Sequence, residues 1–192
     1  MKKFILTVLI IALLLVGLML LLSKCGYDVR GHETYKEIED YEKAFKLTNI
    51  KYFEEAKELF PEDLEGLMAL NFYCEWELGF LGDADVEMSL SVQYGEGSIK
   101  EELERLKELA DGKVVYDTTT FEYPAYVLML GHEGANWYAL VDESSFTIHY
   151  VMLQLIDKDR IDISHDFLPK GYYDFGYVKN QSYSVLTEES SK

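Results

Sequence analysis

Cysteine is scarce in this chain of 192 residues: Cys25 and Cys74 are the only two. Two cysteines imply no disulfide framework, and they cannot build a four-cysteine zinc site. Basic residues are also few, with 18 Lys and Arg against 35 Asp and Glu and a net charge of −17. That imbalance argues against nucleic acid as a partner, because phosphate backbones attract Lys and Arg. Catalytic signatures are missing too. There is no G-x-S-x-G elbow, no Walker loop, no G-x-G-x-x-G and no H-E-x-x-H. No cofactor, catalytic set or metal centre is therefore assigned from sequence.

What is present begins with an unbroken apolar run from Phe4 to Leu22, preceded by Lys2 and Lys3 and followed by Ser23, Lys24 and Cys25. A helix of that length approaches the hydrocarbon thickness of a bilayer, about 30 Å, and the two lysines favour a cytoplasmic N-terminus. Residues 1–24 are thus expected to be a membrane anchor or signal segment that makes the membrane itself a partner. The chain would pass once through the cell membrane, with its C-terminal part extracytoplasmic. Three fates are open. The run is a retained anchor, a cleaved signal, or a lipoprotein leader, since Leu22-Ser23-Lys24-Cys25 resembles a lipobox, with Lys24 where a small residue normally stands. That resemblance implies lipidation at Cys25.

Residues 25–33 read as a linker, 34–186 as one acidic domain of ordinary size, and 187–192 as a frayed tail. Thr34-Tyr35-Lys36-Glu37 fits a capping box, and Tyr35, Ile38, Tyr41 and Phe45 recur at helical spacing. A second stripe, Tyr52, Ala56 and Leu59, runs on to Phe60-Pro61. A hairpin comes next. Met68, Leu70, Phe72, Cys74, Trp76 and Leu78 alternate with more polar residues; after turn residues Gly79 to Asp85, Val86, Met88, Leu90, Val92 and Tyr94 do the same. Ser98-Ile99-Lys100-Glu101 is a second capping box, opening a helix through about Ala110 that Asp111-Gly112 stops. A short strand over Lys113 to Tyr116 precedes a three-strand meander over Ala125 to Leu130, Trp137 to Val141 and Phe146 to Ile156. The expected fold class is α+β: an N-terminal transmembrane helix, then an antiparallel sheet of hairpin plus meander covered by two or three amphipathic helices.

Few residues suggest chemistry. His132-Glu133 begins like a zincin motif, but position 136 is Asn and the pair falls in a predicted turn. Asp157-Lys158-Asp159-Arg160-Ile161-Asp162 begins like a calcium loop, then departs from it at Ile161, Asp162 and Leu168. Asp162, His165 and Asp166 would form an acid-base or metal cluster only if their loop folded back. His149 lies mid-strand. Tyr172, Tyr173 and Tyr177 belong to a tyrosine-rich segment able to stack on peptides or sugars. Cys74 reads as a small buried hydrophobe.

The lysine pair, the apolar run and the acidic domain together resemble the small extracytoplasmic proteins that Gram-positive bacteria anchor by one helix or a lipid. The resemblance implies location only and transfers no site residues. The expected function is a non-catalytic interaction or accessory module of the cell envelope, with an envelope protein, a peptide or a glycan as partner. An acidic face of this kind can also collect cations or basic peptides. The competing expectation is an envelope hydrolase or metal-dependent enzyme using His132, His149 or His165 with nearby carboxylates, which requires those groups to converge.

Overall fold

The computed structural model describes residues 2–24, 32–44, 53–78, 84–112, 114–115, 120–173 and 176–178. Helix α1 spans Lys2–Lys24. No helix among the described residues is long and apolar enough to cross a membrane. The expected single-pass transmembrane helix, and the localisation built on it, are corrected accordingly. Cys25 and the tail 187–192 lie outside the described residues, as does most of the linker.

Alternating sequence becomes strand wherever the period of two is clear. β1 (His32–Tyr35), β2 (Met68–Leu78), β3 (Ala84–Gln93), β4 (Val114–Val115), β5 (Ala125–His132), β6 (Ala135–Asp142) and β7 (Thr147–Gln154) form one sheet. Its order is β1-β2-β3-β7-β6-β5-β4, antiparallel at every pairing. β8 (Tyr172–Tyr173) and β9 (Tyr177–Val178) make a separate two-stranded pair. The expected α+β layering is therefore corrected to a mostly antiparallel β architecture with few helices. Hairpin and meander are not separate pieces under a helical cover. They fuse at β3 and β7, which pair from Val86↔Gln154 to Gln93↔Thr147 and are buried along nearly their whole lengths on both faces.

The expected helix after Thr34 is also corrected. Thr34 and Tyr35 lie in β1, paired with Glu75 and Cys74, because ladder bonds to β2 satisfy the backbone better than a local cap does. Only short elements come after β1: a 3-10 turn at Ile38–Asp40, α2 (Tyr41–Ala44) and α3 (Phe53–Lys57). Residues 45–52, with Phe45 and Tyr52 of the two helical stripes, lie outside the described residues.

The amphipathic helix α4 spans Ser98–Leu109 as expected and turns its Ile99 and Leu106 inward. Its N-cap is Gly97, so Ser98 does not act as a capping box; its hydroxyl instead exchanges hydrogen bonds with the backbone of Gly95. Arg105 on α4 clamps the end of α3, donating from Nη1 to the Glu58 carbonyl at 2.6 Å and from Nη2 to the Leu59 carbonyl at 2.8 Å.

Two cores flank the sheet. On the helical face Phe72, Cys74, Met88, Leu90, Tyr150 and Met152 pack beneath Tyr41, Leu59, Phe60 and Leu106. On the other face Tyr138, Leu140, Val151 and Leu153 pack beneath Phe121, Ile161, Ile163 and Leu168. Burying each such side chain contributes roughly 1.5–3 kcal/mol. The second cover is not helical. It is the irregular chain after β7.

Candidate functional site

The second face carries a concentration of negative charge that arises from register. Glu75 stands directly opposite Glu87 across β2 and β3, and Glu77 opposite Asp85. Like charges in such pairs repel, so the surroundings must answer them. Arg160 does so first, donating from Nη2 to Glu77 at 2.6 Å and from Nη1 to Asp85 at 3.4 Å. His32 Nε2 lies 2.6 Å from Glu75 Oε1, and the Tyr73 hydroxyl donates to Glu75 Oε2 at 2.5 Å. The Tyr73 bond, joined by that of His32, holds the Glu75 carboxyl below its ordinary pKa.

Glu87 is treated differently. It is 1% exposed and, among the described residues, no cation lies within hydrogen-bond reach of it. Its Oε1 accepts from the amides of Asp162 at 3.0 Å and Ile163 at 2.7 Å, while Oε2 shares the Asp162 amide at 3.1 Å. Burial pushes this carboxyl up to about 7, against the pull of those two amides and with the help of the Asp162 and Glu75 charges.

Glu75, Glu77, Asp85, Glu87, Ile156 and Arg160 line a depression of about 40 Å³. Sites for organic ligands are roughly an order of magnitude larger. This one has room for a water, a small cation or the charged tip of a side chain, and Arg160 already shows that a guanidinium fits its chemistry. Sequence reasoning placed Glu75, Glu77 and Glu87 on the polar faces of the two strands and Asp85 in the turn between them. The available signal was acidic residues two apart on each arm of one predicted hairpin, which places them on a single face.

The residues singled out from sequence do not converge. His132 ends β5 and pairs with Ala135. Glu133 and Gly134 form the two-residue turn between them, with φ of 49° and 77°, the left-handed pair that a primed hairpin turn demands. Asp157 caps the 3-10 turn Lys158–Arg160 by accepting from the Asp159 amide at 3.0 Å, so the calcium-like stretch folds as a capped turn. Asp162 lies 3.7 Å from Lys36 Nζ, while Asp166 bonds Ser164, leaving His165 exposed between them. Among the described residues no group of three or more His, Cys, Asp or Glu is placed to hold a metal ion.

His149 is half-buried, with Nδ1 2.8 Å from the Ser91 hydroxyl and its ring stacked on Phe167 at 4.3 Å. Burial lowers its pKa. The pair has the spacing of a nucleophile and base, but Ser91 is buried and Asp142, an acid whose charge acts on the ring, commits its carboxylate to Ser144 and Ser145. A third group to orient the ring is what a working triad adds. Cys74 is fully buried, and burial pushes its thiol up to about 12, which makes it inert. In the tyrosine-rich segment Tyr172 donates to the Ile156 carbonyl at 3.3 Å, Tyr173 and Tyr177 stack on each other, and Tyr177 stays exposed.

The chain matches no protein-family model, no curated protein and no solved structure.

Proposed function

We propose that this protein is a non-catalytic interaction module whose β2–β3 face receives a basic segment of a protein partner. The observation that carries this reading is the convergence of Glu75, Glu77, Asp85 and Glu87 on a depression that holds one guanidinium, that of Arg160. Planar, paired donors suit carboxylates better than a point charge does, so an arginine-containing segment is the natural visitor. The net charge of −17 would speed the approach of such a partner and make the encounter sensitive to salt. The hydrolase reading draws no comparable support, because His132, His149 and His165 share no side-chain hydrogen bond among the described residues.

A titration of isotopically labelled protein with an oligoarginine peptide tests the proposal. Amide shifts should cluster on β2, β3 and the turn bearing Arg160, weaken steeply with added salt and be missing with an oligoglutamate control. Shifts spread evenly over the acidic surface, or binding indifferent to salt, would overturn it.

A further inference from the structure

The chain from Asp157 to Leu168 crosses the sheet without joining it. It contains two single-turn 3-10 helices, Lys158–Arg160 and His165–Phe167, and it lies down through Ile161, Ile163 and Leu168, all buried against the second core. Its ends are tied by ordinary contacts. Tyr138 donates to the Phe167 carbonyl at 2.9 Å, and Arg160 reaches Glu77 and Asp85. Its middle is held by Glu87, gripping two consecutive amides, with Lys36 Nζ 3.7 Å from the Asp162 carboxylate on the exposed side.

We propose that residues 157–168 form a proton-controlled strap, docked while Glu87 is protonated and loosened from the sheet when Glu87 ionises. Geometry explains why docking tolerates the proton. Oε1 alone accepts from both amides, so a proton on Oε2 leaves both bonds in place. Ionisation adds a charge to a side chain only 1% exposed, directly opposite Glu75 and beside Asp162, with Glu77 and Asp85 in the next pair on the same face. Lifting the strap hydrates that charge, at the cost of exposing Ile161 and Ile163.

The other groups around Glu87 set the balance. Tyr73 faces it from β2, Tyr138 from β6 and Tyr172 from β8, while Cys74 lies on the opposite face of β2; each is a neutral group held so by a raised pKa. Arg160 belongs to the strap, while Lys36 and His32 approach from the β1 side, the first through Asp162 and the second through Glu75. His149, under Phe167 at the far end, works in the opposite sense. Acid charges its half-buried ring, so docking also weakens at low pH. The strap therefore holds best in a window bounded by His149 on the acid side and Glu87 on the alkaline side. This inference does not require a partner in the depression, although lifting the strap would carry Arg160 away and leave the carboxylates open.

Amide hydrogen exchange on the full-length chain, corrected for intrinsic rates, tests it. Protection at Asp162 and Ile163 should fall about tenfold per pH unit as pH rises toward about 7, then level off. Protection in β6 should not change in step. In Glu87→Gln the fall should vanish. A flat profile in the parent chain, or the same slope in both proteins, overturns the strap. If Glu87→Gln does not fold, the carboxyl carbon shift of Glu87 in the parent chain decides. Its midpoint must coincide with the pH at which the protection loss levels off, and a midpoint elsewhere overturns the proposal.

Discussion

Glu75 and Glu87 occupy facing positions on β2 and β3, yet the fold treats them as opposites. Glu75 sits at the rim with Tyr73 and His32 donating to it, which favours its charged form. Glu87 sits buried under the strap with two backbone amides and, among the described residues, no cation beside it, and burial favours its neutral form. One cross-strand pair thus divides its work between a fixed charge and a group that titrates near neutrality.

Global stability should fall as pH rises through about 7. Glu87 has a folded pKa above its unfolded value, so the folded state binds its proton more tightly; that contribution is complete below about 4.5 and is lost on passing the folded pKa. The size is on the order of 3 kcal/mol. His149, with its pKa lowered, contributes in the other direction, its share being lost as pH falls below its unfolded value of about 6.5. Urea unfolding over a pH series should show this decline between about 4.5 and about 7 in the parent chain and a flatter curve in Glu87→Gln.

Arg160→Ala should strengthen binding of an oligoarginine peptide about two- to fivefold, the range expected for removing an exposed competing ion pair. The Arg160 side chain is 54% exposed, so unfolding midpoints should barely move. Calorimetric titration reads the affinity. Weaker binding would show that Arg160 helps to build the site and does not merely fill it.

Tyr150→Phe should destabilise the helical face by about 1–3 kcal/mol. The Tyr150 hydroxyl is buried, donates to Glu102 at 2.6 Å and shares a second bond of 2.6 Å with Tyr94, linking β7 to α4 and to the residue after β3. Chemical denaturation should register the loss, and Tyr94→Phe combined with Tyr150→Phe should cost less than the sum of the two single changes because the pair is shared.

Gly176→Ala should be among the costliest exchanges near the two-stranded pair, at roughly 2–4 kcal/mol. Its φ is +71°, and an added Cβ would fall 2.2 Å from the Gly134 carbonyl oxygen. Asn136 donates to the Gly176 carbonyl at 2.8 Å, so the clash would part the β5–β6 turn from the chain docked on it. A drop in thermal midpoint should accompany the loss, while Gly66→Ala, with a similar φ but open space around it, should cost less.

The strands were legible where two faces differ sharply. Phe72, Cys74 and Trp76 alternate with Tyr73, Glu75 and Glu77, and the β2–β3 register tracks that alternation closely. Legibility failed where small polar groups are covered. Ser89 and Ser91 looked solvent-facing but are buried, so the doubly covered centre of the sheet and the fusion of hairpin with meander were hidden. Thr34 misled because a four-residue capping pattern is local, whereas its strand partner Glu75 is 41 positions away. The depression was hidden for the same reason. Arg160 lies 83 residues from Glu77 and 75 from Asp85, and nothing local in the sequence announces that a capped turn will be folded back over a hairpin.

The seat of β7 between β3 and β6 bears on how the chain is made. During synthesis the β2–β3 ribbon emerges early but must wait for about sixty further residues, from Gln93 through Gln154, before its inner edge is paired. Until then the ribosome displays a raw, apolar strand border of the sort that recruits wrong neighbours. Truncation just short of Thr147 should therefore yield not a smaller folded protein but an aggregating one, a hazard confined to birth and erased once the final long strand closes the seam.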